Sequence, residues 1–249
     1  MHDPDFSQEN PPAANQPGCL LKSLALLVLL AFLFFSLPTV SYLFSGKLNF
    51  LQQNQTLQIE SLVQNTKPAV VRIETMAKDG SFYTTHQATG FNIAPTGLIV
   101  TNNHVLDQAS LIIITFNDGE IFYADQYDAV PGVDLAVVKI NGHDLPTLTL
   151  DRQASVQRGD TLTVIGNPLG FANISQRGQV GTFHRLEGSS SLAFDINLPA
   201  NPGSSGSPVL NEQAQVVGII FASTTLEVSG QKQLRALALP VQALPPEYL

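Results

Sequence analysis

Short runs of β-branched and other apolar residues, separated by turn-forming residues, constrain the fold of this chain more than any other feature. Eight such runs lie between residues 69 and 239: AVVRIE, GFNIA, GLIVT, SLIIITF, DLAVVKI, TLTVIG, VVGIIFAS and LRALAL. Gly, Pro, Asn and Asp bound them, as is typical of short strands. Because hardly a helical period separates the runs, the sequence predicts an all-β barrel or sandwich.

The composition supports a folded domain and argues against several other classes of protein. Hydrophobic residues make up 44% of the 249 residues and charged residues 13%, which is ample for a sizeable core. Twelve Lys and Arg against twenty Asp and Glu give a net charge of -8 without a basic cluster, so nucleic acid is not an expected partner. The single cysteine, Cys19, excludes an intrachain disulfide and a cysteine zinc site, and we expect it to be an idle thiol.

An uncharged apolar segment over residues 23–44, SLALLVLLAFLFFSLPTVSYLF, has the length of a membrane-spanning helix. A cleaved signal peptide is the alternative, but the leader is long, carries three acidic residues and has Lys22 as its only Lys or Arg. We therefore expect a single transmembrane helix that acts as a signal anchor. Lys22 and Lys47 place one positive charge on each flank, so charge alone leaves the orientation open.

The remainder divides into a tether and a two-part domain. Residues 45–66 are polar, and the spacing of their apolar positions predicts a tether with a short amphipathic helix. The apolar positions are Leu57, Ile59, Leu62 and Val63. The polar stretch NGHDLPTLTLDRQASVQRGD separates the domain, residues 67–249, into halves of about 67–145 and 146–249. The halves are small for independent domains, so we expect them to share an interface.

Two residues have the sequence context of a general base and its carboxylate partner. Of five histidines, His104 follows an apolar run at a turn, in GLIVTNNHVL, where a scaffold can hold an imidazole rigidly. Asp134 begins DLAVVKI, a run apolar on both faces that predicts a buried strand. A carboxylate there can bind the second imidazole nitrogen and set its tautomer. A strand-end Asp bonded to backbone amides is the alternative.

A serine-rich turn, NPGSSGSPV at residues 201–209, supplies a candidate nucleophile. Gly203 and Gly206 flank Ser204 and Ser205 closely, which allows a tight turn whose backbone N–H groups point into one concave site. A serine hydroxyl needs a base to remove its proton and donors to stabilise the oxyanion that forms. By composition alone the stretch is also typical of a flexible surface loop.

Taken together, the three motifs resemble those of the chymotrypsin-like serine proteases, and specifically of the bacterial HtrA/Deg family. TNNHV, DLAVVKI and NPGSSGSPV follow the family's order and are similar to its TNxHV, DLALLKI and NPGNSGGPL motifs. The likeness covers nearly all of residues 57–245. Four further stretches support it: KPAVVRIET, ATGFNIAPTGLIVTNNHV, RGDTLTVIGNPLGF and RALALPVQAL.

The resemblance implies both a fold and a set of site residues. The fold would be all-β, a chymotrypsin-like double β-barrel with perpendicular barrels and the site in the cleft between them. Ser205 would be the nucleophile, His104 the general base and then acid, and Asp134 the orienting carboxylate. The backbone N–H groups of Gly203 and Ser205 would form the oxyanion hole.

The resemblance also implies a substrate pocket and a location. Pro199, six residues before the nucleophile, would form the floor of the pocket, with Ile219 and Phe221 as its walls. Because no carboxylate stands there, we expect a small or medium aliphatic side chain rather than Lys or Arg. Polypeptides are the expected substrates, and neither a metal nor an organic cofactor is implied. Residues 1–22 would be a short cytoplasmic tail, and the protease domain would be periplasmic. The oligomeric state is not determined by the sequence, and a homo-oligomer is one alternative.

The chain departs from the family pattern at two positions of the serine turn. Ser204 and Ser207 stand where the family usually has Asn and Gly, and a side chain at 207 would strain the turn if that position needs a positive φ. The sequence ends with VQALPPEYL, so we expect no PDZ domain of the kind many relatives carry. The main alternative is a catalytically impaired, protease-like binding module anchored at the membrane. A purely structural tethered β domain would explain none of the three motifs.

Overall fold

The computed structural model of the chain describes residues 22–24, 26–28, 49–79, 82–186, 192–228 and 230–249. The chain divides into two units, Met1–Asn49 and Phe50–Leu249. In the first unit residues 22–24 and 26–28 are helical, and the rest of the predicted transmembrane segment lies outside the described residues, as does Cys19. No helix in the described part of the chain combines the length and the apolar character needed to cross a membrane.

Two short helices precede the strands, where the sequence predicts one. Helix α1 spans Asn49–Leu57, helix α2 spans Ser61–Thr66, and a 3₁₀ turn follows at Lys67–Ala69. Ile59 lies in the break between the helices and is 74% exposed, so it does not belong to the apolar face. Leu57 and Val63 are buried, as the amphipathic pattern predicts.

The first half of the domain is a seven-stranded antiparallel sheet. Its strands are β1 Val70–Asp79, β2 Phe82–Asn92, β3 Leu98–Thr101, β4 Ala109–Thr115, β5 Ile121–Ala124, β6 Asp128–Ala129 and β7 Ala136–Lys139. They lie in the order β5-β4-β1-β2-β3-β7-β6, and the four-residue helix α3, Asn103–Leu106, follows β3. Residues 125–127 interrupt the pairing, since β5 pairs with β4 whereas β6 pairs with β7. The hydrogen-bonded ladder is therefore open between β5 and β6.

The second half is a closed six-stranded barrel. Its strands are β8 Thr161–Gly166, β9 Ile174–Arg185, β10 Leu192–Ile196, β11 Pro208–Leu210, β12 Val216–Val228 and β13 Gln231–Pro240. The order around the barrel is β10-β13-β12-β11-β8-β9. Short 3₁₀ turns lie at Pro168–Gly170, Val241–Ala243 and Pro246–Tyr248. The all-β architecture with two sheets agrees with the predicted fold class.

The apolar residues form one core in each half and a third cluster between the halves. Strand β7 shows how one run serves two of them. Ala136 and Val138 pack in the core of the first sheet, while Leu135 and Val137 face the cluster between the halves. Residues of the second barrel, among them Ile165 and Ile219, complete that cluster. The run is apolar on both faces because successive strand residues point to opposite sides, and both sides are buried here.

Candidate active site

The TNNHV segment fixes His104 through its polar neighbours. Thr101 ends β3, and its hydroxyl donates to the carbonyl of Thr89 on the adjacent strand, at 2.8 Å. The Asn102 side chain donates to the carbonyl of Asp134, also at 2.8 Å. His104 then lies in the first turn of α3 with 49% of its side chain exposed. The imidazole is therefore held by the sheet but remains accessible from solvent.

Asp134 contacts His104 through both carboxylate oxygens. Oδ1 accepts the backbone N–H of His104 at 2.9 Å, and Oδ2 lies 2.6 Å from the ring Nδ1. This pairing orients the ring so that Nε2 points the other way. The strand that follows is buried as predicted, but the carboxylate itself is not, since 31% of the Asp134 side chain is exposed. Asp134 precedes β7, Ala136–Lys139, and does not share the burial of the strand itself.

Ser205 completes a continuous line of polar contacts. Its Oγ lies 3.2 Å from Nε2 of His104, although the two residues are 101 positions apart in the chain. The structure thus brings together the three residues that the motifs single out. A carboxylate, an imidazole and a hydroxyl in this order can carry the serine proton to the ring while the carboxylate stabilises the resulting imidazolium.

Hydrogen bonds hold each carbonyl of the serine turn from residue 202 to residue 205. Their donors are, in order, Leu169 N, Thr89 Oγ1, Ser207 N and Thr89 N, at 2.7, 2.7, 3.1 and 2.9 Å. In a planar trans peptide the C=O and the N–H that follows it point in opposite directions. Each bonded carbonyl therefore also fixes the direction of the next N–H group.

Two N–H groups of the turn, those of Gly203 and Ser205, have no acceptor among the described residues. The neighbouring N–H groups of Ser204, Gly206 and Ser207 all donate within the protein, to Asn201 O, Ile220 O and Ser204 O. The two free donors are the same two that the resemblance assigns to an oxyanion hole. The Gly203 N–H belongs to the same peptide as the Pro202 carbonyl, and the Ser205 N–H to the same peptide as the Ser204 carbonyl. Both carbonyls accept hydrogen bonds within the protein, so both N–H groups point away from those partners.

The positive φ angles of the turn belong to Gly203 and Gly206, at 92° and 82°. A Cβ at residue 206 would overlap the carbonyl of Thr89, so glycine is needed there for space as well as conformation. Ser207 has no positive φ, and the strain considered for a side chain at that position does not arise. Its hydroxyl fits because Gly166, directly opposite, has no Cβ to occupy the same space.

Thr89 is a site residue that the sequence motifs do not identify. It is fully buried on β2, and its hydroxyl accepts the Asn167 N–H at 2.9 Å while donating to the Gly203 carbonyl. Its backbone N–H donates to Ser205. Thr89 therefore connects the first sheet directly to the serine turn. In the sequence Thr89 is marked only by its position in ATGFNIAPTGLIVTNNHV, one of the stretches that resemble the family.

A cavity of about 250 Å³ lies beside Ser205. Five residues of the loop from Ala200 to Ser205 line one side, and Ile220, Ala222 and Ser223 of β12 line the other. The predicted Pro199, Ile219 and Phe221 are not among the lining residues. Ile219 is fully buried between the two halves and Phe221 packs against the same cluster. Successive residues of β12 point to opposite sides and both sides are apolar, so the sequence does not distinguish the residues that line this cavity.

Among the described residues the buried carboxylate is that of Asp195, on β10. Its side chain is 1% exposed, accepts the backbone N–H of Thr182 at 2.9 Å and lies 2.8 Å from Nε2 of His184. Arg235 lies on its other oxygen. This second His–Asp pair is part of the barrel wall, and neither residue contacts a serine hydroxyl among the residues that the structure describes. The contacts with His184 and Arg235 offset the cost of burying the charge of Asp195.

Two further features of the described residues lie away from the serine turn. A larger cavity, about 540 Å³, lies against the first sheet near residues 123–128 and 137–141 and contains none of the three motif residues. No group of three or more metal-ligating side chains occurs in the described ranges.

Comparison with known sequences gives a consistent result. The family model described as the trypsin-like peptidase domain matches residues 88–219. The putative serine protease HhoA of Synechocystis sp. is 36% identical over 141 residues, covering 53% of this chain and 36% of that protein. A probable periplasmic serine endoprotease, DegP-like, of Chlamydia pneumoniae is 36% identical over 139 residues, covering 53% of this chain and 28% of that protein. The chain thus spans well under half the length of these relatives.

Solved structures show the same fold. The HtrA-type protease AlgW with a tripeptide superposes with a TM-score of 0.61 at 26% identity, covering 73% of this chain and 59% of that one. The active form of the Rv3671c protease from M. tuberculosis has a TM-score of 0.63 at 22% identity, covering 74% of this chain and 81% of that one. The predicted all-β fold of the chymotrypsin-like double-barrel type is confirmed.

Proposed function

The chain belongs to the trypsin-like peptidase family and has HtrA- and DegP-like relatives, and on this basis we propose that it is a serine endopeptidase. Ser205 is the nucleophile, His104 the general base and Asp134 the residue that orients it. The observation that carries this proposal is the unbroken line of contacts, 2.6 Å from Asp134 to His104 and 3.2 Å from His104 to Ser205. The proposed peptidase domain is residues 67–249.

Acylation follows from this geometry. The Ser205 Oγ attacks the scissile carbonyl carbon while its proton moves to Nε2 of His104. Asp134 accepts the Nδ1–H of the ring, which leaves Nε2 free to receive that proton. The oxygen of the tetrahedral intermediate becomes negative and accepts the N–H groups of Gly203 and Ser205. Collapse breaks the C–N bond, and the leaving amine takes the proton from His104.

Deacylation repeats the same steps with water as the nucleophile. Water attacks the ester on Ser205 and gives a proton to His104. The intermediate then expels the Ser205 oxygen, which recovers the proton, and a carboxylate product leaves. Each N–H group that binds the oxyanion contributes a factor of about 10²–10³ to turnover in enzymes of this type.

The substrates that we propose are exposed or unfolded polypeptides with a small or medium aliphatic side chain before the scissile bond. Support comes from the cavity beside Ser205, which has no charged residue in its lining. Its apolar lining residues are Ala200, Pro202, Ile220 and Ala222. Peptide-bound AlgW structures show that a relative of this fold binds short peptides. Replacing Ala222 with Val should lower kcat/KM for Leu relative to Ala at this position by roughly tenfold, since one methylene corresponds to about 1–3 kcal/mol. An unchanged ratio would contradict the assignment of this cavity.

We also propose that residues 23–44 anchor the protein in the inner membrane, after a short cytoplasmic tail at residues 1–22 and before the segment 45–66, whose helical part from Phe50 onward belongs to the same unit as the domain. The domain would then act in periplasmic protein quality control or regulated proteolysis. Support comes from the uncharged 22-residue segment and from the periplasmic description of the DegP-like relatives. Added protease should cleave the domain only after the outer membrane is permeabilised. Protection that persists until the inner membrane is lysed would contradict this orientation.

The alternative of an impaired, protease-like binding module has less support. It depends on a serine turn distorted by Ser207, and Ser207 has an ordinary φ while the glycines take the positive ones. The free N–H groups of Gly203 and Ser205 also favour an enzyme, because a turn that only bound peptides would not need both.

An alkyl fluorophosphonate probe tests the proposed function directly. It should label the full-length protein, and Ser205→Ala should abolish labelling because the probe reacts with an activated serine. Ser110→Ala is the matched control. Ser110 is exposed on β4, where its hydroxyl donates to the Met76 carbonyl, and its loss should leave labelling intact. An unlabelled wild type, or a Ser205→Ala variant labelled like the wild type, would overturn the proposal.

A further inference from the structure

The peptide between Pro202 and Gly203 is held from outside the serine turn. The Pro202 carbonyl accepts the backbone N–H of Leu169 at 2.7 Å, the joint shortest hydrogen bond made by the turn's carbonyls. Because a trans peptide directs its C=O and N–H to opposite sides, this bond turns the Gly203 N–H away from Leu169. If the Pro202–Gly203 peptide rotated by 180°, the Pro202 carbonyl would point where the Gly203 N–H now points. The hydrogen bond from Leu169 therefore favours the orientation in which the Gly203 N–H, and not the Pro202 carbonyl, points away from Leu169.

The donor itself has an unusual backbone conformation. Leu169 has φ 54° and ψ 25°, in the left-handed region that non-glycine residues rarely occupy. Its side chain is 46% exposed, so packing of the leucine does not explain the conformation. What the conformation does provide is the direction of the Leu169 N–H toward Pro202. Strain of this kind persists only where the surrounding structure holds it.

Contacts on both sides of Leu169 hold the strained turn. The Phe171 N–H donates to the Pro168 carbonyl at 2.9 Å, and the Asn167 side chain accepts the N–H of Asn173 at 3.0 Å. The ring of Phe171 lies edge-on to Phe50 of α1, with 6.0 Å between centroids, and Phe50 is 3% exposed. The turn is thus held by hydrogen bonds within residues 167–173 and by the contact of Phe171 with helix α1.

We propose that Leu169 is a positioning residue for the oxyanion hole. Its backbone N–H, held in the left-handed conformation, keeps the Pro202–Gly203 peptide oriented so that the Gly203 N–H faces the developing oxyanion. This inference rests on the proposed peptidase function. It predicts that the contact matters for the tetrahedral intermediate and not for the binding of uncleaved peptide.

Replacement of one backbone atom tests the inference without changing a side chain. Incorporation of the α-hydroxy analogue of leucine at position 169 turns its amide into an ester, which removes the N–H donor and weakens the Pro168 carbonyl as the acceptor of the Phe171 N–H. With a peptide p-nitroanilide, kcat should fall by roughly 10- to 100-fold with little change in KM, less than the ~10²–10³ lost on deleting an oxyanion donor itself. Affinity for a peptidyl boronic acid, which forms a tetrahedral adduct, should fall in parallel, whereas affinity for the peptide product should not.

Ala214 provides a matched control. It too has a positive φ, 62°, and its N–H donates to the Asn211 carbonyl in a hairpin turn that contributes nothing to the cavity beside Ser205. An ester at Ala214 should leave kcat and boronate affinity at the wild-type level. Two side-chain variants give an independent test. Leu169→Ile, an isomer whose β-branching disfavours the left-handed region, should lose more activity than Leu169→Asn, which tolerates it.

The outcomes separate the inference from the function on which it rests. A Leu169 ester with wild-type kcat, or one that loses boronate and product affinity equally, overturns the positioning role while the peptidase function stands. Equal losses for the esters at Leu169 and Ala214 overturn it as well. A wild type that neither hydrolyses the substrate nor reacts with the fluorophosphonate overturns the function, and the inference with it.

Discussion

At the scale of single residues, the serine turn depends on side chains that lie elsewhere in the chain. Thr89 is the clearest case, because one buried hydroxyl accepts from Asn167 and donates to Gly203. Sequence motifs identified His104, Asp134 and Ser205, since each stands in a short, distinctive stretch. Thr89 has no such signal, because its partner Gly203 is 114 residues away and nothing local to Thr89 indicates that pairing.

Thr89→Val should remove all three hydrogen bonds of the hydroxyl, to the Gly203 carbonyl and to the backbone and side-chain N–H groups of Asn167, while keeping the shape of the side chain. The Gly203 carbonyl and the Asn167 N–H would then be buried without these partners, at a cost of about 1–3 kcal/mol each in the free energy of unfolding. We expect kcat to fall as well, because the turn loses one of its fixed carbonyls. Thr89→Ser keeps the hydroxyl and should lose less in both respects. Equal losses for Val and Ser, by urea denaturation and kinetics, would contradict this role.

Removal of the Ser207 hydroxyl should have the opposite effect on the free energy of unfolding. Its side chain is fully buried and its hydroxyl has no hydrogen-bond partner among the described residues. Ser207→Ala should therefore not lower the free energy of unfolding and should raise it by up to about 1–3 kcal/mol, as an unpaired buried hydroxyl is removed. Ser204→Ala is the comparison, because the Ser204 hydroxyl accepts the Asn201 N–H at 3.3 Å and its loss should destabilise the turn. A Ser207→Ala variant destabilised like Ser204→Ala would contradict this account.

At the scale of elements, helix α1 and the segment after it are attached to the second barrel by polar side chains as well as apolar ones. Gln53 exchanges two hydrogen bonds with the backbone of Arg177 on β9, at 2.8 and 3.1 Å. Arg177 in turn binds Glu60, with 3.1 and 2.6 Å between its two terminal nitrogens and the two carboxylate oxygens. The Arg177 hydrogen bond lowers the pKa of Glu60. The helices therefore belong to the folded domain.

The Glu60 contact should give a pH-dependent contribution to stability. Because the folded-state pKa of Glu60 is lowered, its stabilisation is present above the unfolded-state value of about 4.3 and is lost as the pH falls through the folded value. Glu60→Gln should therefore lower the free energy of unfolding at pH 7, and the difference from wild type should vanish in acid. Both side chains are about one-third exposed, so the difference should stay within about 1 kcal/mol.

Glu212→Gln is the control for this measurement, since Glu212 is exposed and forms no ion pair among the described residues. Urea denaturation of both variants between pH 7 and pH 3 would check the expectation. A Glu60→Gln difference that does not decrease between pH 7 and pH 3, or one matched by Glu212→Gln, would contradict it.

The elements also show where interpretation of the sequence reaches its limit. Each of the eight apolar runs contributes residues to a strand, because alternation and flanking turn residues carry that information locally. The face that each residue occupies was harder to predict. In β12 both faces are apolar, and the register shifts between Ile220 and Ala222. Ile219 therefore faces the cluster between the halves, and Ile220 and Ala222 line the cavity.

At the scale of the whole molecule, the site exists only because the two halves meet. His104 and Asp134 belong to the first half, and Ser205 to the second. Thr89 crosses the boundary to bind the serine turn, and the apolar cluster between the halves keeps that boundary closed. None of these long-range contacts could be derived from spacing alone, because they depend on how the sheet and the barrel pack.

Turnover by single and double variants tests the central claim most directly. If His104 and Ser205 act as one unit, His104→Ala and Ser205→Ala should each lower kcat by roughly 10⁴–10⁶, and the double variant should lose little more. That result would match a proton passing between the two groups 3.2 Å apart. Losses that multiply in the double variant, or substantial hydrolysis by Ser205→Ala, would contradict the account.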